Sequence, residues 1–291
     1  MNEIENLHDY AVALSKRNHN ETMVMTIEKE LLHYEILDSL DRAGLLEQLV
    51  FQGGTSLRLC YGAERYSEDL DFSGGQDFDA SRFTEIKECV EQAVTDRYSV
   101  ETLVKPPKRS GGLVSTWTVV VDTTPTRSDI ARQRIKIEIA SIDAHDVTVR
   151  PLTVNYENLA DSYADVMVPV ESREEILADK IESFVCSDHL RFRDLWDLAW
   201  LGKRSDLDLA KAKELRLLKA QDYKEIEKYP ERFSMVQAKL DDAFNSEGFA
   251  KEMLRFLPKE RVERTIDRPL WLEGTHNQLI ELFSVFADIG H

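Results

Sequence analysis

Two aspartates two positions apart, Asp69 and Asp71, sit in an apolar setting made by Leu70 and Phe72. Side chains alternate faces along a strand, so such a pair projects from one side and can grip a cation together. Upstream lies Gly53-Gly54-Thr55-Ser56. Residues 49–51 read as a short buried strand, the two glycines as a tight turn, and Thr55-Ser56 with Leu57, Leu59, Cys60 and Tyr61 as the opening of a helix. Glycines let backbone N–H groups come close to a ligand, and a helix N-terminus carries unpaired donors and partial positive charge. The expectation is that Gly53, Gly54, Thr55 and Ser56 cradle the phosphates of an NTP. Asp69 and Asp71 would hold its Mg²⁺, a hard ion often bound by one or two carboxylates plus substrate oxygens.

Other segments could complete such a centre. In residues 134–140, Ile135, Ile137 and Ile139 face one way and Lys136 and Glu138 the other. Beside the Asp69/Asp71 strand, Glu138 would add a third carboxylate and allow a second ion. The same alternation also suits the exposed face of an edge strand, and pattern alone leaves both readings open. Ser172 followed by Glu175 forms a capping-box pattern. In the helix it opens, Lys180 falls four residues from both Ile176 and Phe184 on the apolar stripe, so it must snorkel outward or meet an anion such as a phosphate. Residues 190–201 read as an almost wholly apolar helix that keeps Arg191, Arg193, Asp194 and Asp197, with Arg193 and Asp197 spaced to pair at i,i+4.

Together these motifs resemble the AbiEii-type toxins within the polymerase-β-like nucleotidyltransferases. The likeness rests on Gly53-Gly54-Thr55-Ser56, Arg65, Ser67, Asp69, Asp71 and Phe72, then on Ala178, Asp179, Lys180, Arg191, Arg193, Asp194 and Asp197, and covers roughly residues 28–201. It implies an α/β nucleotidyltransferase domain with a small mixed sheet, followed by a helical C-terminal domain. It implies Glu138 as the third acid, a position where the family usually has aspartate. Lys180, with Arg193, is then expected to meet the nucleotide phosphates, and Asp197 to be needed for activity. The implied reaction is transfer of NMP from an NTP to RNA, at the 3′ end of tRNA, with Mg²⁺ or Mn²⁺, by a toxin held in check by a cognate antitoxin. Transfer to a protein hydroxyl, or a nucleotide-binding partner protein without turnover, are the alternatives.

The rest of the chain sets bounds. Its 291 residues suit one large or two modest domains, expected at 1–168 and 169–291 with the active site in a cleft between them. No apolar run is long enough to span a membrane, and residues 1–20 are polar and mixed in charge, unlike a signal peptide. Cys60, Cys89 and Cys186 are scattered and read as reduced core thiols of a cytoplasmic protein, and the seven histidines show no zinc spacing. A net charge of −17 excludes a generally basic nucleic-acid binder. An RNA acceptor would need local patches, for which Lys105, Lys108 and Arg109, and Arg127, Arg132 and Arg134, are candidates. Expected elements include helices at 28–40, 81–97, 249–257 and 279–286, strands at 98–104 and 114–121, and a connector over 151–170 with a short extended piece at 165–170.

Overall fold

The computed structural model describes residues 6–17, 20–108, 112–125, 130–156 and 159–287. Arg109 and Arg127, from the two candidate basic patches, lie outside them. The chain divides into two units, Met1–Val170 and Glu171–His291.

Helices α1 (Leu7–Arg17) and α2 (Val24–Arg42) open the first unit. The first arises in the polar N-terminal stretch, where Leu7, Ala11 and Leu14, at helical spacing, are all buried. The expected helix at 28–40 is the body of α2. This helix is covered on nearly every side, and its buried acids survive by pairing. Glu28 meets His8 Nδ1 at 2.6 Å and accepts from Gln133 Nε2 at 2.5 Å, and Glu30 pairs with Arg58 and accepts from Asn155 at 2.9 Å. Gly44, at φ +67, turns the chain out of the helix.

Among the described residues, seven strands form one sheet: β1 (Val50–Gln52), β2 (Leu70–Ser73), β3 (Thr102–Lys105), β4 (Val114–Val121), β5 (Gln133–Ala140), β6 (Val147–Pro151) and β7 (Met167–Glu171). Their order is β3-β4-β5-β2-β1-β7-β6. The sheet is mixed: β1 runs antiparallel to β2 and parallel to β7, and β2 runs parallel to β5. Two further helices flank it, α3 (Gly53–Tyr61) and α4 (Glu85–Tyr98). The helix expected at 81–97 is interrupted: Ala80–Arg82 is a single 3₁₀ turn capped by the Asp79 carboxylate, and α4 starts after it. Strand β6 was not expected, because its most exposed positions are the apolar Val147 and Val149, the reverse of the usual edge pattern.

One sheet face is core. Leu70 and Phe72 of β2 and Ile135, Ile137 and Ile139 of β5 are fully buried there, with Phe72 stacked on Phe51 at 5.1 Å. Strand alternation sends Asp71 and Glu138 to the opposite face.

The second unit is helical: α5 (Arg173–Cys186), α6 (Phe192–Gly202), α7 (Leu209–Asp222), α8 (Tyr229–Phe233), α9 (Val236–Asn245), α10 (Glu247–Met253), α11 (Lys259–Arg264) and α12 (Pro269–Val285). The Ser172 hydroxyl accepts from the Glu175 N–H at 3.1 Å, the N-cap half of the expected capping box, while the Glu175 carboxylate meets Lys219 at 2.8 Å. Pro269 opens the last helix ten residues before the expected start at 279. No described helix is long and apolar enough to cross a membrane.

His33 links α2 to the loop before β2. Its Nε2 lies 3.0 Å from the Glu68 carbonyl, and Lys29 holds the Glu68 carboxylate at 2.8 Å. Burial, opposed by that carbonyl, lowers the imidazole pKa from 6.5 to about 4. The unfolded chain therefore takes up a proton near pH 6.5 that the folded chain refuses until about pH 4, and stability falls as the pH drops across that window. Between pH 7 and pH 4.5 the wild type should lose about 2 kcal/mol more unfolding free energy than His33→Gln, read from urea melts at both pH values.

Candidate active site

The site is built on the non-core face of the sheet. Asp71 of β2 stands opposite Glu138 of β5 in parallel register, and the same row continues to Thr116 on β4 and Gln52 on β1. Paired residues on neighbouring strands point the same way, with backbones about 4.8 Å apart, so the two carboxylates are side by side. Of the two readings of Glu138, the one beside the Asp69/Asp71 segment is observed.

Asp69 lies just before β2, and its Oδ1 accepts from the Lys136 backbone N–H at 3.0 Å. That bond ties the approach to β2 onto β5 but turns one carboxylate oxygen toward the backbone. Among the described residues, the trio whose possible ligand atoms all lie within 4.8 Å of one another is Glu182, Cys186 and Glu225, not Asp69, Asp71 and Glu138. In that trio an Arg216 nitrogen lies 3.0 Å from a Glu182 oxygen, so its charge already has a protein partner.

Gly53 explains the position of the turn. It opens α3 at φ +76, and a Cβ there would come 2.7 Å from Asp71 Oδ2. The glycine thus brings the helix N-terminus hard against the carboxylate. At Gly54 a Cβ would collide with the Arg65 guanidinium and come 3.2 Å from the Ser67 hydroxyl. Arg65 is itself buried and donates to the Tyr66 carbonyl at 2.7 Å. The hydroxyls of Thr55 and Ser56 serve the chain's own carbonyls. Thr55 Oγ1 donates to the Asp69 carbonyl at 2.5 Å and Ser56 Oγ to the Gly53 carbonyl at 2.8 Å, and both side chains are buried. What this turn presents is backbone N–H groups at the start of α3.

Gly53→Ala therefore should cost activity far more than stability. The positive φ and the displaced Asp71 carboxylate together should lower transfer about 100-fold, with a melting temperature only a few degrees down. Initial rates beside a thermal melt check this.

The donor set fits a divalent ion of the Mg²⁺ type. Asp71 and Glu138 offer hard oxygens on adjacent strands, Asp69 is next in line, and such ions need only one or two carboxylates when substrate phosphates supply the rest.

In the second unit, Lys180 is buried and meets an anion, as its place on the apolar stripe requires. The partners are carboxylates: Asp194 Oδ1 at 2.7 Å and Asp197 Oδ2 at 2.8 Å. These two residues, three apart on α6, face α5 together. Burial alone would raise the Asp194 pKa, but Lys180 and Arg191 hold it well below the usual carboxylate range. Asp194 was visible in the motif without a role, and it is a direct partner of the lysine. Arg193 is half-exposed, with Nε 3.8 Å from Glu252 and its guanidinium over the Phe256 ring.

A second buried network had no sequence signal. Lys219 of α7 is fully enclosed, 2.6 Å from Glu171 and 2.8 Å from Glu175, while Tyr223 donates to Asp179 at 2.8 Å. The expectation of three core thiols holds for Cys60, whose thiol burial pushes up to about 12, whereas Cys89 and Cys186 are only half-buried at helix flanks. Of the basic candidates, Lys105, Lys108, Arg132 and Arg134 are exposed, and Arg132 pairs with Asp122 at 3.1 Å.

The mixed sheet, the paired acids and the glycine turn lie together as the resemblance to nucleotidyltransferases implies. The family model of the AbiEii nucleotidyl transferase toxin, type IV toxin–antitoxin system, matches residues 35–268, and the chain belongs to that family. Its members are enzymes and work against an antitoxin partner. Among solved structures it is similar to MenT4, a nucleotidyltransferase toxin from Mycobacterium tuberculosis, at 16% identity and a TM-score of 0.61, covering 96% of this chain and 89% of that one. It is also similar to JHP933 from Helicobacter pylori, at 19% identity and a TM-score of 0.49, covering 90% of this chain and 91% of that one. No curated protein matches it.

Proposed function

We propose that this toxin transfers NMP from an NTP to an RNA acceptor, the 3′ end of tRNA, in the cytoplasm. The observation that carries the reading is the register of Asp71 against Glu138 beside the Gly53 turn. The ion it uses is Mg²⁺, with Mn²⁺ able to replace it, held by Asp71 and Glu138 with Asp69. When bound, the ion supplies charge to the triphosphate oxygens and eases loss of the acceptor proton.

The chain's own groups do the positioning. Backbone N–H groups of Gly54, Thr55 and Ser56 receive phosphate oxygens at the start of α3. Lys180, oriented by Asp194 and Asp197, and Arg193 are the cations that the family resemblance assigns to the nucleotide phosphates. The acceptor hydroxyl oxygen bonds to the α-phosphorus as the bond to the β-phosphate oxygen breaks. Pyrophosphate departs with that electron pair, and the hydroxyl proton passes to solvent.

An RNA acceptor is what the family resemblance implies and what the exposed basic residues Lys105, Lys108 and Arg134 favour, while the net charge of −17 requires the contact to be local. The test is transfer by purified protein with Mg²⁺, each α-³²P-labelled NTP in turn and total tRNA, beside the Asp69→Asn/Asp71→Asn double variant. Label on RNA from the wild type alone is the expected result. Label on protein would move the acceptor to a protein hydroxyl, and no label on either would leave a nucleotide-binding partner without turnover.

A further inference from the structure

We propose that a surface of the second unit, made by α6 and the start of α12, seats the single-stranded end of the RNA acceptor. Its bases stack on Trp200 and Trp271, and its phosphates meet Arg204 and Arg268. The proposal deepens the reading of RNA as the acceptor and rests on it.

Tryptophan is scarce, with four in the chain. Trp117 is buried on β4, and the other three gather here. Trp196 and Trp200 stand one turn apart on α6, and Lys203 and Arg204 follow at its end. The Trp271 ring lies 5.4 Å from that of Trp196, with the Lys203 ammonium 5.1 Å from its centre, so it runs alongside this row. The Arg204 guanidinium covers Trp200 at 4.0 Å. Trp196 itself is buried, and its indole N–H has no hydrogen-bond partner among the described residues, an unmet donor of the kind that a ligand acceptor relieves. Trp200 and Trp271 are half-buried, and Leu270 beside the latter is 83% exposed, which leaves this end of α12 open to solvent.

Charge selects the occupant. Arg204 and Arg268 are exposed, and neither is ion-paired among the described residues; Arg268 donates only to the Glu263 carbonyl at 3.0 Å. In a chain of net charge −17 such arginines beside tryptophans form the local contact that an RNA strand requires. Rings and cations in alternation match a single strand, whose bases offer π faces between phosphates. An acidic peptide would satisfy the arginines and leave the indoles without partners. Residues 196–204 span about 12 Å along the helix, room for two or three bases stacked about 3.4 Å apart. Helix α6 also carries Asp194 and Asp197, which hold Lys180, so a strand on the tryptophan row lies against the helix that orients the lysine assigned to the nucleotide.

The experiment titrates the full chain with a short fluorescein-labelled single-stranded RNA, followed by anisotropy across a salt series, and with the unlabelled strand, followed by tryptophan fluorescence. Wild type should bind with quenching, since three of the four tryptophans lie in the patch. Arg204→Ala/Arg268→Ala, two exposed positions where folding is not at stake, should weaken binding about tenfold and lower the slope of log K against log salt by about 1.4. Trp200→Ala should weaken it about tenfold, and both variants should raise the KM for tRNA while leaving the KM for NTP unchanged. Affinity and slope unchanged in the double arginine variant would overturn the patch, and continued labelling of tRNA would then leave RNA as the acceptor. Equal binding and quenching by poly-glutamate would overturn the proposal in favour of an acidic protein partner. A wild type that neither binds nor labels RNA would overturn the acceptor reading and this proposal together.

Discussion

Asp71→Asn is expected to lower NMP transfer at least about 1,000-fold while leaving the fold intact. The substitution keeps shape and hydrogen-bonding reach but removes the charge. Asp71 is the carboxylate most tightly specified by its surroundings, opposite Glu138 across β2 and β5 and pressed on by Gly53. In stability the direction reverses. Asp71 shares its face with Glu138 and Asp69, so losing one negative charge relieves repulsion in the resting protein. The melting temperature should stay level or rise slightly without metal, and the wild type alone should gain stability when Mn²⁺ is added. Loss of activity together with a lowered melting temperature would point to a structural role and sink the assignment. Glu138→Gln should show the same pattern, which separates a shared ion from a private role for Asp71.

Much of this centre could be read from residue order, because a strand reveals its faces by alternation. Leu70 and Phe72, like Ile135, Ile137 and Ile139, declare the buried side, and Asp71 and Glu138 follow on the other. Which strand neighbours which could not be read that way. The parallel pairing of β2 with β5 joins segments far apart in sequence, and resemblance, not periodicity, made Glu138 the favoured third acid. Where the Thr55 and Ser56 hydroxyls go could not be read from residue order either. At a helix start, Thr and Ser serve the backbone as readily as a ligand, and the Asp69 and Gly53 carbonyls have taken both. Strand β6 hid because an edge strand with exposed Val147 and Val149 lacks the polar face that usually announces one. Lys219 hid because a lysine in a helix reads as solvated until two glutamates from other turns are seen to enclose it. Lys180 was legible where Lys219 was not, since its place on an apolar stripe demanded an anion.

Those two lysines provide the second large effect. Lys219→Met should destabilise the second unit by about 3–5 kcal/mol, because it leaves Glu171 and Glu175 buried without their cation. Burial already raises the Glu171 pKa against the pull of Lys219. Without the lysine it rises further, so the folded variant carries a proton that the unfolded chain releases. A folded-state pKa above the unfolded one favours folding at low pH and loses that contribution as the pH rises. The deficit of Lys219→Met relative to wild type should therefore be larger at pH 8 than at pH 6 in urea unfolding. Lys180→Met removes another buried cation, now from Asp194 and Asp197, and should cost a similar amount of stability. Activity is what separates them. Per folded molecule, Lys219→Met should retain transfer close to wild type, whereas Lys180→Met should lose on the order of 100-fold or more if its ammonium serves the phosphates as well as the two aspartates. Rates measured well below each variant's unfolding transition decide the matter. Equal retention of activity by both variants would make Lys180 a structural ion pair like Lys219, and the nucleotide would then have to be held by the α3 turn and the carboxylates of the sheet.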